Sequence, residues 1–142
     1  MNRIKIFTFF FSLTVFLTNN LYAKDNYFAQ GKKLFNQNKL LESKFKFEKD
    51  IVFNPKNEKS YLYLAKIFHK EKNDKLEEQN LDTVILLNPQ NEEAVFLLTL
   101  LKIKQSDYSE SEKLIKIFNK VCKNSCEKKE ELKTKLKSSQ VK

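Results

Sequence analysis

Asn54-Pro55-Lys56-Asn57-Glu58 and Asn88-Pro89-Gln90-Asn91-Glu92 are one five-residue phrase written twice, 34 residues apart. They hold both prolines of a 142-residue chain that is otherwise short of punctuation, with a single glycine, Gly31, against 41% hydrophobic and 32% charged residues. Folds built on many tight turns or on glycine-rich phosphate loops, such as an all-β sandwich, a Rossmann domain or a P-loop enzyme, are disfavoured. Helices joined by short polar turns remain. The residue before Pro is pushed out of the α region, so each Asn-Pro pair ends a helix, and Asn57 or Asn91 can cap the next one.

Sliding the 34-residue frame along the chain gives three units, 24–57, 58–91 and 92–125. In the first half of each unit Tyr27, Tyr61 and Val95 align, then Gln30, Leu64 and Leu98, then Gly31, Ala65 and Thr99, then Leu34, Phe68 and Lys102. Spacings of three and four put these on one face of a helix. A second set, Phe47, Leu81 and Ile115 with Ile51, Ile85 and Asn119, follows Asn38, Asn73 or Asp107 and makes a second helix. Gly31, Ala65 or Thr99 falls where the two helices of such a hairpin press closest.

This layout resembles the tetratricopeptide repeat. Its landmarks are Tyr27, Gly31, Leu34, Phe47 and Pro55 in the first unit and Tyr61, Leu64, Ala65, Phe68, Leu81 and Pro89 in the second. The third unit is degenerate, with Lys102 in an aromatic place and Lys123 in place of the closing Pro, although Tyr108 matches the aromatic that often starts the second helix. Where the family prefers a small residue in the second helix the chain has Ser43, Glu77 and Ser111, and Glu77 is expected to loosen its hairpin. The resemblance implies an all-α solenoid of three hairpins. Residues 126–142 read as a capping helix and polar tail, with Leu132 and Leu136 as a narrow apolar stripe and Ser138–Lys142 disordered; a frayed tail throughout is the alternative.

Residues 1–23 read as a secretory signal: basic Arg3 and Lys5, an apolar run from Ile6 to Leu17, and cleavage after Ala23. An uncleaved anchor or a buried helix is the alternative, but the run is well short of the roughly 20 residues a bilayer needs. Leu21 is large for its place before the cut, and no Cys at the junction suggests a lipoprotein. The chain is thus expected to be exported, with membrane contact only through an uncleaved signal. By analogy with the family, its expected place is the periplasm of a Gram-negative bacterium. Losing Arg3 and Lys5 lowers the formal charge from +9 by two and leaves every basic residue a Lys. Base and phosphate readers favour the planar fork of Arg, so nucleic acid is disfavoured. A solvated surface, or attraction to anionic envelope components, accounts for the charge.

No catalytic constellation is visible, so the expectation is a non-enzyme without metal or cofactor. His69 is the only His, which excludes a multi-His metal site; its frame position is on the groove side, near the end of a first helix, where it reads either as a ligand contact or as a plain helix-end residue. The pairs Glu77-Glu78, Glu92-Glu93 and Glu130-Glu131 are adjacent in sequence and read as solvated helix faces. Cys122 and Cys126 read as a local disulfide in an oxidising compartment, as free thiols, or as a redox pair.

Proteins of the resembled family bind through the concave surface lined by first helices. There Phe28, Leu62 and Phe96 recur as an apolar row, with Lys32, Lys66 and Leu100 one turn on and His69 nearby. The expected partner is a protein or an extended or helical peptide with apolar anchors and acidic residues; the competing reading is that the row packs repeat against repeat. The family's chaperone-tail pocket is not supported, because its places hold Phe28, Lys32, Tyr63, Glu93 and Leu97, with one cation. The function expected is an exported interaction module or scaffold, with envelope assembly or protein maturation as its setting by analogy. The alternative is a structural, self-associating envelope component, a homo-oligomer without a separate peptide.

Overall fold

The computed structural model describes residues 26–141, so the segment 1–23 read as a secretory signal lies outside the described residues. These fold into helices α1 (Tyr27–Asn36), α2 (Leu40–Phe53), α3 (Glu58–Lys70), α4 (Asp74–Leu87), α5 (Glu92–Lys104), α6 (Tyr108–Val121) and α7 (Lys128–Gln140). No strand is present among the described residues, and no helix there is long and apolar enough to cross a membrane. α1 packs on α2, α3 on α4 and α5 on α6 as hairpins; α2 stacks on α3, α4 on α5, and α7 lies against α5 and α6.

Short polar side chains start α1, α4, α5 and α6. Asn26, Asn73, Asn91 and Asp107 each accept a hydrogen bond from the backbone N–H three residues on, which satisfies an otherwise orphaned donor. The first helix of every hairpin ends alike. Asn38, Lys72 and Ser106 hold φ of 58°, 56° and 62°, and the residue after each donates back to the carbonyl of Leu34, Phe68 or Lys102, a Schellman closure. Second helices end at Asn54 and Asn88, whose φ of −132° and −142° is the extended backbone a following Pro requires.

Inside the first hairpin Gly31 is buried against Phe47, and a Cβ on it would lie 2.8 Å from that ring. Ser43 Oγ ties the same crossing by donating to Gly31 O at 2.9 Å. Phe47, Leu64, Ile67 and Phe68 form one core, with Phe28, Phe35 and Tyr63 packed on it. A second core runs from Leu62, Leu81 and Val84 through Val95, Phe96, Leu98 and Phe118 to Leu132 and Leu136.

α7 has the expected stripe, Leu132 and Leu136, both buried and each stabilising the cap by about 1.5–3 kcal/mol. The helix continues through Ser138 to Gln140, where the sequence led us to expect disorder, because Tyr108 Oη donates to Ser139 O at 2.7 Å. Glu77 does not splay its hairpin. Its carboxylate is turned toward His69, whose Nδ1 lies 3.0 and 3.1 Å from the two oxygens.

Candidate functional site

α1, α3 and α5 are the first helices of the three hairpins, and one pocket of about 190 Å³ is lined by residues from all of them: Phe35 of α1, Ala65, Lys66, His69 and Lys70 of α3, and Leu97 of α5, joined by Glu77 of α4. The lining follows from the repeat. Phe35 and His69 are frame equivalents, so the last turns of α1 and α3 offer matching residues to the pocket, whereas α5 reaches it through Leu97. Ala65, at the small-residue place, leaves the room that a longer side chain would fill.

Polar groups are few and specifically tied. Glu77 is 3% exposed, and burial raises its carboxyl above the usual carboxylate range, opposed by the His69 hydrogen bond and charge and by Lys104, with Asp74 adding to the rise. The His69 side chain is 64% exposed. Lys66 Nζ pairs with Glu93 at 2.7 Å and lies 5.0 Å from the Tyr63 ring centroid. Lys70 Nζ sits 5.6 Å from the Phe35 centroid and forms no ion pair among the described residues. The lining brings one carboxylate, one imidazole and two lysine amines into an otherwise apolar wall. No group of three or more metal-ligating side chains occurs among the described residues.

Lys66 and His69 therefore meet in one pocket, and the other groove residues read from the sequence do not. Leu62 and Phe96 are 7% and 8% exposed and belong to the core, which corrects the open apolar row. Leu62 packs into the second hairpin, while Phe96 contacts Phe118 and is covered by Lys128 of α7, whose Nζ is 4.7 Å from its centroid. Phe28 is half-buried between Phe47 and Tyr63, with centroids 5.9 and 5.8 Å away. Leu100 is half-buried against the second core, and Lys32 is exposed. Sequence reading missed Phe35, Lys70 and Glu77 as pocket residues and placed Leu97 only among the family's groove positions. For Phe35 the signal was available, since it is one 34-residue step from His69.

At the end of the third hairpin Cys122 and Cys126 are paired as a disulfide, with Cα atoms 5.2 Å apart. The loop it closes is held on α5 by Glu92, whose carboxylate accepts from the N–H of Asn124 and Ser125 and, at 2.6 Å, from Ser125 Oγ. The Ser125 hydroxyl and these backbone donors lower the Glu92 carboxyl to about 2.

No family model matches the chain, and no curated protein matches it in sequence. Solved structures do match in shape. The first tetratricopeptide domain of Spaghetti, bound to the HSP90 peptide SRMEEVD, superposes with a TM-score of 0.69 at 19% identity, covering 78% of this chain and 87% of that one. The TPR2B domain of yeast Sti1, in a complex with an Hsp70 peptide, gives 0.69 at 13% identity, covering 82% and 95%. The Yersinia enterocolitica type III secretion chaperone SycD, in complex with a peptide of the translocator YopD, gives 0.71 at 12% identity, covering 82% and 92%. The fold is thus a helical solenoid of tetratricopeptide-like hairpins with a C-terminal helix.

Proposed function

We propose that this chain is an exported protein-interaction module that docks a partner peptide on the side lined by α1, α3 and α5. One observation carries the reading: a single apolar pocket with a basic rim draws its lining from the first helices of all three hairpins. Stacked hairpins hold such a pocket open without the partner, so docking orders little of the protein. The three solved structures above that share the fold each hold a peptide, and that similarity supports the reading by analogy. Export rests on the N-terminal segment, and the Cys122–Cys126 pair suits an oxidising envelope compartment. Envelope assembly or maturation of another exported protein is the setting we favour.

Crosslinked pull-down from the native host tests the docking. The pocket variant Lys70→Glu with Leu97→Ser is expected to keep its helical circular dichroism and lose the captured partner; unchanged capture overturns the groove reading. Cell fractionation and N-terminal sequencing test the export, with a mature start at Lys24 expected and an intact Met1 in the cytoplasm against it.

A second reading has its own observation. Leu41, Phe45 and Val52 lie along one face of α2 at 74%, 54% and 75% exposure, an apolar stripe suited to self-association. Light scattering of Leu41→Lys with Phe45→Lys separates the two: a wild-type oligomer dissolved by this pair favours the structural component, and a wild-type monomer removes it.

A further inference from the structure

α7 is fastened to the solenoid differently from the hairpins. Between neighbouring hairpins Lys66 is bridged to Glu93, Lys102 to Glu78 and Lys104 to Asp74, and Gln105 donates to Glu78. Among the described residues no ion pair joins α7 to another element: Lys133 bridges Glu130 and Lys135 bridges Glu131, both within the helix. No side chain caps its N-terminus. It is held by Leu132 and Leu136 in the second core, by Tyr108 Oη donating to Ser139 O, and by Lys128 Nζ over the Phe96 ring. A helix this short with two buried apolar side chains is marginal by itself.

The surface beneath it is far more apolar than α7 itself. α5 buries seven of its 13 residues, spread around most of its circumference, and a helix apolar on most sides needs cover on most sides. α6 turns Leu114, Ile115 and Phe118 into the same core. Lys128, Leu132 and Leu136 follow one another at four-residue intervals, so they share one face of α7. They show which ligand this surface takes: an amphipathic helix that presents a cation and then two apolar side chains, one turn apart.

The entry to α7 carries a restraint that chemistry can undo. Cys122 caps the C-terminus of α6, Cys126 stands two residues before α7 begins, and their disulfide closes the loop between them. Glu92 separately fastens that loop to α5 through Asn124 and Ser125. Opening the disulfide therefore leaves a pivot at Ser125 about which α7 can lift. Both cysteines are half-buried, within reach of a small thiol. Cys126 lies ahead of the α7 N-terminus, where the helix dipole favours a thiolate, so its sulfur is the better leaving group.

We infer that the face of α5 and α6 beneath α7 is a second docking surface, taking an amphipathic partner helix with the cation–apolar–apolar spacing of α7, and that the Cys122–Cys126 disulfide keeps α7 seated there until a dithiol reduces it. In that step one thiolate of the dithiol attacks Cys122 Sγ and Cys126 leaves as a thiolate, which takes up a proton. The second thiol of the reductant then attacks the mixed disulfide and releases Cys122. Two electrons and two protons pass to the protein, and the reductant is left as its own disulfide. With the loop opened, α7 vacates the face more often, and a partner helix meets less competition for it. This face is separate from the pocket lined by α1, α3 and α5.

The probe is a fluorescein-labelled peptide of residues 127–141, added to the full chain and followed by fluorescence anisotropy. The oxidised chain is expected to bind it weakly. Cys122→Ser with Cys126→Ser, or wild type reduced with dithiothreitol, should bind it roughly tenfold tighter, and a peptide carrying Leu132→Ser and Leu136→Ser should bind none of them. Leu132→Ser within the full chain, with the disulfide intact, loosens α7 without touching the latch and should also raise probe binding. Equal affinity of the oxidised and reduced chains, binding that survives loss of both leucines from the peptide, or no saturable binding to any variant overturns the inference. A dimer formed on reduction alone, seen by light scattering, gives the face to a second copy's α7 and overturns the partner helix. Lys70→Glu should leave probe binding unchanged, so the pocket reading and this one fail separately.

Discussion

Residues 54–58 and 88–92 are spelled almost identically and built differently, whereas the turns at Asn38, Lys72 and Ser106 share no letter and are built alike. Between hairpins one and two, buried Asp50 gathers hydrogen bonds from Asn54 Nδ2 at 3.1 Å, Asn57 Nδ2 at 2.6 Å and Ser60 Oγ. One frame later the Asp50 and Ser60 places hold Val84 and Ala94, both fully buried, and Asn91, freed from such a cluster, caps α5 by accepting from Ala94 N at 3.0 Å. The third junction has Phe118 in that place, a disulfide where Pro stood, and Glu92 holding its loop. Pro and Asn thus mark where a helix must stop; what fills the space behind the stop is chosen pairwise by the residues facing it.

The largest effect is expected from exchanging fillings without their partners. Val84→Asp places a carboxylate opposite Ala94 with no side-chain donor assembled, and should destabilise by about 3–5 kcal/mol in urea unfolding. In the reciprocal direction, Asp50→Val strands the donors of Asn54, Asn57 and Ser60 and should lose about 2–3 kcal/mol. Adding Ser60→Ala converts the first junction to the apolar pattern of the second, and should recover at least about half of that loss in a double-mutant cycle. Strict additivity of the two substitutions would show that the fillings are not chosen as pairs.

The disulfide closure comes next. Cys122→Ala with Cys126→Ala removes a short cross-link, expected to lower stability by about 2 kcal/mol, and the change should appear first as faster amide exchange in α7. Equal exchange across α6 and α7 in both proteins would mean that Glu92 and the two leucines hold the cap unaided. Glu92 itself has a pH signature. Its folded carboxyl is depressed from the ordinary carboxylate range to about 2, so its contribution is present above the unfolded value and is lost as pH falls toward about 2. The stability gap between wild type and Glu92→Gln should therefore be constant above about pH 5 and close on acidification. A gap that does not narrow places the anchor elsewhere.

These contrasts also explain how much of the molecule could be read from its letters. Pro55, Pro89 and the small-residue places fixed the hairpin frame, because only a few residue types satisfy a helix stop or the contact between Gly31 and Phe47. Burial of Leu62 and Phe96 was not legible, since a first-helix residue facing a groove and one covered by the next helix have the same periodicity; the placement of α7 over α5 decides for Phe96, and packing into the second core decides for Leu62. Glu77 was visible as a misfit, yet its partner His69 lies eight residues away across a turn whose geometry the sequence did not announce.

That turn gives the smallest prediction. Left-handed backbone is disfavoured by about 1 kcal/mol for a residue with a Cβ, and least for Asn, yet Lys72 and Ser106 adopt it with exposed side chains. The hairpin accepts this because the Schellman bonds and the packing of both helices fix the turn regardless of its residue. Lys72→Gly and Ser106→Gly should each stabilise by about 0.5 kcal/mol, the strain relieved being partly offset by the freer unfolded chain. Asn38→Gly should gain less, near about 0–0.3 kcal/mol. Calorimetry on the three single variants checks the order; a loss at Lys72 equal to that of Gly in a helix interior would mean its side chain, not its backbone, sets the turn.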